Sequence, residues 1–339
     1  MVILSRFVAL SVSLTRKASL SQGDYIILML EHLAATASDP RPIALDELLP
    51  RWQSAMRTWR AWMCTQTKHT LEQVRRRTYH HELGGSSNAM SLRSAAALGY
   101  YDTEDAVVLA AKTAMFTHRE ETAHAGAEFF ARVTFRVLHQ DLTPLQAIEA
   151  VAADSGAFVR AKVAQALAKV EEAVDPGSNL SREPFVDDAA LTAMASVLDL
   201  DGEAGSHEPI KVGLSSATEG TLPGAVYFIV RYGTLEAAAK ANAKVGGDNA
   251  SRGVAIGMVL GAAEGLEGIP ASLGEGHLVE WERVASLLDQ LPLIRAAGSG
   301  TARAAAASGG VDEEMCAVEP MRQRPRDAEQ PGGDDKEDL

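Results

Sequence analysis

A short run of glycine and polar residues interrupts the Ala-rich second half of the chain and is its strongest candidate for chemistry. The run reads Gly-Gly-Asp-Asn-Ala-Ser-Arg-Gly over residues 246–253. Paired glycines allow the backbone to turn tightly and to approach a ligand, and the oxygens of Asp248, Asn249 and Ser251 then lie at the start of the next helix. A plainer interpretation is also open, in which Asn249 or Ser251 caps that helix and the glycines only end the previous one.

The signatures of common catalytic classes do not occur elsewhere in the sequence. The nine histidines show no His-Glu-x-x-His spacing, and neither a Gly-x-Ser-x-Gly elbow nor a phosphate-binding Gly-x-x-x-x-Gly-Lys loop is present. The two cysteines, Cys64 and Cys316, are far apart in the sequence, so neither a disulfide framework nor a Cys-based metal site is indicated. This cysteine usage favours a reducing compartment.

Charge and hydropathy exclude two classes of partner. A formal net charge of −13 argues against nucleic acid, whose phosphates are bound by clustered Lys and Arg. Residues 311–339 hold ten acidic and four basic residues, so the body of the chain is only mildly acidic. No apolar run is long enough for a membrane helix. We expect a soluble, intracellular and most simply cytoplasmic protein, although the lack of acids before Asp24 leaves organelle import open.

Helical periodicity extends along the body of the chain and predicts an all-α fold. Helices are predicted from Asp24 through Leu33, from Leu48 to about Arg76, over Thr103–Met115, from a capping box at Thr117 to His139, and over 144–153, 157–174, 187–198, 223–232, 235–245, 253–265 and 278–288. The predicted organisation has three parts: an N-terminal segment of uncertain character (1–21), one helical domain (22–296) and a disordered acidic tail (297–339).

The 246–253 run and the helix after it resemble the C-terminal signature of the ADP-ribosylglycohydrolase superfamily. That signature is Gly-Gly-Asp-x-Asp-Thr, followed by a Gly- and Ala-rich helix that ends near Ile-Pro, here Ile269-Pro270. The motif Gly-Gly-Asp-Asn-Ala-Ser-Arg-Gly most resembles that of the jellyfish J-type crystallin branch and its plant and algal relatives. Weaker agreement occurs at Gly23-Asp24, at Asn88 to Arg93, at Thr117-His118 and at Leu222-Pro223. The resemblance covers roughly residues 22–292 and implies a multi-helix orthogonal bundle. The family's opening helix has no counterpart before Asp24, which suggests a truncated or misassigned start.

In active members of the superfamily, two magnesium ions lie between an N-terminal Thr-Asp-Asp-Thr element and the last motif. Carried over by this resemblance, the metal ligands would be Asp24, Asp248 and Ser251. Tyr25 and Ala250 occupy the positions of the other two acids, and Ile26 replaces a threonine. Because Mg²⁺ is held largely by carboxylates, the resemblance implies a weakened or lost magnesium site. Asp24 as a helix-capping acid remains the plainer alternative.

The same resemblance implies that Gly246, Gly247, Asn249 and Asn88 contact an ADP-ribose-like small molecule or an ADP-ribosylated protein. For Asn88 the plainer role is a loop anchor, and for His118 it is a structural histidine. Two hypotheses follow. One is a degenerate family member that binds an ADP-ribose-type ligand, or is structural, with little turnover. The alternative is an active metal-dependent hydrolase that removes ADP-ribose from a protein or a small molecule. The catalytic residues stay unknown.

Overall fold

The structure, a computed structural model, is helical throughout its main elements. It describes residues 21–59, 63–76, 95–174, 217–245, 249–265, 268–269 and 281–297. The helices are α1 (Ser21–Ala35), α2 (Leu45–Thr58), α3 (Thr65–Arg75), α4 (Glu104–Ala114), α5 (Glu121–His139), α6 (Pro144–Asp154), α7 (Ala157–Val174), α8 (Thr218–Tyr232), α9 (Leu235–Val245), α10 (Asn249–Glu264) and α11 (Trp281–Leu288), with a 3₁₀ turn over Ala95–Gly99. The described residues contain no β-strand, which confirms the predicted fold class.

Local start and stop signals explain several of these boundaries. Thr143 caps α6 in a capping box: its hydroxyl accepts from the Gln146 N–H, and the Gln146 side chain accepts from the Thr143 N–H. Pro144 occupies the first helical position, where its missing N–H costs nothing. Helix α8 ends at Gly233, whose φ of 67° is left-handed and suits glycine. Helices α6, α7 and α9 therefore begin and end close to the predicted residues. Helix α8 ends where predicted but begins at Thr218, before the predicted start at Pro223, which lies inside the helix. The predicted 187–198 helix and the acidic tail lie outside the described residues.

The single helix predicted over Leu48 to about Arg76 is wrong. The chain forms α2 and α3 instead, with Trp59 leaving the first helix in an extended conformation (ψ 127°). Cys64 is the N-cap of α3, and its sulfur accepts a hydrogen bond from the Thr67 N–H. The apolar spacing continues across the break, so periodicity alone could not detect it.

The capping box predicted at Thr117 is also wrong, although the long helix after it exists. Helix α5 begins at Glu121, and its N-cap Glu120 makes no side-chain capping bond. The Thr117 hydroxyl lies 2.8 Å from His118 Nδ1 instead. The imidazole of the next residue has taken the side chain that the sequence pattern assigned to the cap.

Two hydrophobic cores meet at helix α10. Its residues Val254 and Met258 belong to the core that α1 to α5 and α11 form, whereas Ala255, Ile256 and Val259 belong to the core of α5 to α9. Every residue from Ala250 to Ala262 is buried. Helix α10 packs against α5, α8 and α9.

A charged cluster joins α4 to α5 on the outside of the first core. Glu104 accepts from Arg132 at 2.6 Å and from the Arg136 Nε at 3.2 Å. Burial raises the pKa of Glu104, but hydrogen bonds from Arg136 and Arg132 outweigh it and lower the pKa below its ordinary value. Among the described residues, no helix combines the length and the apolar character that a membrane span needs.

Candidate functional site

Helix α1 carries the N-terminal element of the predicted site, and two of its residues are committed to the core. Tyr25 is 5% exposed; its ring stacks on Trp59 with centroids 4.9 Å apart, and its hydroxyl donates to Thr67 Oγ1 at 3.0 Å. Ile26 is fully buried. Asp24 lies in the first turns of α1, but its side chain is outside what the structure describes.

The second element lies where α9 turns into α10. Gly246, Gly247 and Asp248 are outside the described residues, and α10 begins directly after them at Asn249. The Asn242 amide on α9 donates to the Asn249 carbonyl at 2.7 Å. This bond crosses the base of the turn and joins the end of one helix to the start of the next.

Arg252 is the most unusual side chain in this region, because it is charged and only 1% exposed. Its Nε donates to Asn242 Oδ1 at 2.8 Å, and its guanidinium lies 5.8 Å from the centre of the Phe228 ring. Asn242 is itself buried and uses both ends of its amide in these bonds. The two side chains form a fixed framework beneath the turn, and the positive charge lies in the same first turn of α10 as the positive end of the helix dipole.

The far end of α10 is tied to α9 as well. Glu264 accepts from the Leu235 N–H at 2.6 Å, where α9 begins. Burial raises the pKa of Glu264, and the hydrogen bond from the Leu235 backbone opposes that effect. Helices α9 and α10 are thus joined near both ends of their contact.

A separate polar cluster lies next to Thr67, the residue that accepts a hydrogen bond from Tyr25. His118, which is 1% exposed, places its Nε2 3.4 Å from Cys64 Sγ and its Nδ1 2.8 Å from Thr117 Oγ1. The same sulfur lies 3.2 Å from Thr67 Oγ1, the atom that accepts from Tyr25. The sequence favours a structural role for His118 and predicts no role for Cys64.

The comparisons with known proteins agree with the resemblance noted in the sequence. The family model described as ADP-ribosylglycohydrolase matches residues 21–300, which is most of the chain. The chain belongs to the ADP-ribosylglycohydrolase family. A solved structure described as an ADP-ribosylglycohydrolase-related protein complex is similar to this chain with a TM-score of 0.56 and 17% identity, covering 86% of this chain and 97% of its own. That likeness shows the ADP-ribosylglycohydrolase fold. Sequence comparison with curated proteins gives no significant match.

Only part of the predicted ADP-ribosylglycohydrolase site can be placed in the structure. Asn249 and the fully buried Ser251 both lie in the first turn of α10. The roles of Asp24 and Asp248 as metal ligands stay predictions, and so does the role of Asn88, which lies outside the described residues together with Arg93. Tyr25 and Ile26 share one core with Val254 and Met258, so α1 and α10 contribute to the same part of the molecule.

Sequence reasoning missed Asn242 and Arg252 as the supports of this turn. Their signal is weak but present: an asparagine in the Ala-rich stretch Leu235–Val245, and an arginine directly before the apolar residues of α10. A buried polar side chain in such a context needs a partner, and Asn242 Oδ1 accepts from the Arg252 Nε.

Proposed function

We propose that this chain is an ADP-ribose-binding member of the family with a depleted magnesium site and little turnover, nearest to the J-type crystallin branch. The observation that carries the proposal is Tyr25. It occupies the position of an acid in the family's metal-binding element, yet its ring is buried against Trp59 and its hydroxyl is engaged with Thr67. Ile26 and Ala250, at two further ligand positions, are buried and have no donor atom for a hard cation.

The residues present therefore do not fit the family's two-ion set. Asp24, Asp248 and Ser251 remain as potential oxygen ligands, and two carboxylates are few for an ion that gives up its water reluctantly. An active hydrolase with a reduced metal site is the alternative, and it requires Asp248 as a ligand.

Support for a bound ADP-ribose-type ligand comes from the start of α10. The first backbone N–H groups of a helix have no partner within the helix and attract anions such as a diphosphate. The glycines at 246 and 247 allow close approach of a ligand, and the Asn242–Arg252 framework holds the base of the turn. We propose Gly246, Gly247, Asn249 and Asn88 as the ligand contacts.

Calorimetric titration with ADP-ribose, with and without Mg²⁺, tests the proposal directly. We expect binding that hardly changes when Mg²⁺ is removed, and no hydrolysis of ADP-ribosylated protein. Hydrolysis that disappears in the Asp248→Ala variant would overturn the depleted site in favour of the enzyme. Absence of ADP-ribose binding would overturn the binding function and leave a structural role of the crystallin kind.

Substitution at position 250 supplies a matched test of the old metal site. Ala250 lies in the first turn of α10, where an added carboxylate suits the helix dipole. Ala250→Asp should introduce a dependence of ADP-ribose binding on Mg²⁺, whereas Ala250→Asn, of the same size but uncharged, should not. If the two variants respond identically to Mg²⁺, the metal site does not lie at this turn.

A further inference from the structure

Helices α2 and α3 carry an excess of positive charge in an acidic chain. Residues 51–77 hold seven basic residues and one acidic residue, although the formal net charge of the whole chain is −13. A local concentration of one sign of charge attracts partners of the opposite sign. Four exposed side chains of these two helices form what we call the basic surface: Arg51, Arg57, Lys68 and Arg75.

The cations of the basic surface are not neutralised within the molecule. Among the residues that the structure describes, none of the four forms an ion pair with a carboxylate. The neighbouring acids are already engaged: Glu47, at the start of α2, pairs with Arg41 at 2.9 Å. On α3, Glu72 pairs with Arg76 at 2.6 Å. The charge of the basic surface can therefore serve another molecule.

The charge of Arg51 also affects the interior of the molecule. His32 on α1 is 3% exposed, and burial lowers the pKa of its imidazole. The positive charge of Arg51 lowers that pKa further, against a smaller opposite effect of Glu47. Glu47 thus compensates the charge of Arg51 only in part.

The dimensions of the basic surface suit a short partner segment. Lys68 and Arg75 are seven positions apart, which is close to two turns of helix, so they share one face of α3 at a spacing of about 10 Å along its axis. Helix α2, which contacts α3, adds Arg51 and Arg57. The length of α2 is about 21 Å, and an extended segment of about six residues spans that distance.

The surroundings of these cations favour an acidic polypeptide over other polyanions. Among the described residues, the exposed large hydrophobic side chains are Leu109 on α4 and Leu145 on α6, so α2 and α3 lack such an anchor for a membrane. Trp52 is buried and Trp59 stacks on Tyr25, so both rings are already engaged and do not form a platform for nucleic acid bases. Guanidinium groups match carboxylates in paired hydrogen bonds.

We propose that the basic surface binds a short acidic segment of a partner protein, whose Asp or Glu carboxylates pair with the four exposed cations. Each exposed ion pair contributes about twofold to fivefold in affinity, so binding depends on several pairs acting together. Because the charges lie at the surface, added salt weakens the interaction. The proposal does not rest on the binding of ADP-ribose.

The test is fluorescence anisotropy with the full chain and a fluorescein-labelled decaglutamate peptide. The decaglutamate peptide should bind, the uncharged decaglutamine peptide should not, and the affinity should fall as the ionic strength is raised. ADP-ribose is left out of the titration, so the result is independent of the proposed function. A chain that binds neither peptide, or both equally well, would overturn the proposal.

Two double variants locate the binding on the molecule. Lys68→Gln with Arg75→Gln removes two cations from the basic surface and should weaken decaglutamate binding about fivefold. Arg160→Gln with Lys162→Gln removes the same two residue types from α7 and serves as the control, with an expected change below about twofold. Circular dichroism checks that both double variants are folded.

The comparison of the two double variants decides the assignment. Equal losses in both would show that only the net charge of the chain matters, and the basic surface would then not be the site. An oligonucleotide or a phosphatidylserine vesicle that binds more tightly than decaglutamate, and that depends on Lys68 and Arg75, would overturn the choice of a polypeptide partner.

Discussion

The first turns of α1 and of α10 carry the two halves of the proposed site, and the two halves are filled by different kinds of residue. At α1, Tyr25 and Ile26 are packed into the hydrophobic core. At α10, Asn242 and Arg252 form a buried polar framework under the glycine turn. Well-packed apolar residues can replace buried charged groups without loss of stability, whereas a satisfied buried polar network rigidifies the segment that it supports. On the proposal of a depleted magnesium site, the support of the turn is retained while the metal-binding half is not.

An acid at position 25 should have the largest effect on the free energy of unfolding, because the α1 half of the proposed site is buried in the hydrophobic core. Tyr25→Asp would place an unpaired carboxylate against Trp59, and we expect it to lower the free energy of unfolding by about 3–5 kcal/mol. Tyr25→Phe, which loses only the bond to Thr67, should cost about 1 kcal/mol. Urea unfolding followed by circular dichroism measures both. A Tyr25→Asp protein as stable as its parent would show that this half can still hold an acid.

Removal of Asn242 tests the other half of the contrast. Asn242→Leu leaves the Arg252 Nε and the Asn249 carbonyl without this partner, which should cost about 2–3 kcal/mol of stability. It should also weaken ADP-ribose binding, because the turn loses its anchor. Asn242→Asp keeps the acceptor for Arg252 and should fall between the leucine variant and the parent. Unchanged ADP-ribose affinity in the leucine variant would separate the framework from the ligand site.

Glu104 belongs to neither half of the proposed site. Its substitution should have the smallest effect on stability and serves as the control for the other two. Glu104→Gln should cost about 1–2 kcal/mol at pH 7 and leave ADP-ribose affinity unchanged. Because the folded pKa of Glu104 is depressed, its stabilisation is present above the unfolded pKa of about 4.3 and is lost as the pH falls through the folded value. Unfolding midpoints of the variant and its parent should therefore converge once the pH has fallen below the folded pKa of Glu104. A difference that persists there would mean that the carboxylate charge is not the stabilising group.

Much of the fold could be predicted because the helices carry their own signals. The apolar stripe of α1 and the Thr143 capping box are local patterns, and the structure confirms both helices. The break at Trp59 was not predictable, because the residue keeps helical spacing and leaves the helix to stack on Tyr25, 34 positions earlier in the sequence. Thr117 likewise has the right sequence for a cap but pairs with His118 instead.

The candidate site shows the same division between local and distant information. The 246–253 run located Asn249 and Ser251 correctly at the start of a helix. The contact of Arg252 with Asn242 spans ten positions across a turn, and that of Cys64 with His118 spans 54, so neither has a sequence period to reveal it. Such pairs depend on how the helices pack, and the periodicity of a single sequence does not predict that packing.

Helix α10 supplies side chains to both hydrophobic cores, and this couples the unfolding of the two cores. Neither core can lose its structure without exposing one face of the shared helix, so the two should melt together in one cooperative transition. The amide hydrogens of α10 should accordingly exchange with solvent only when the whole domain opens.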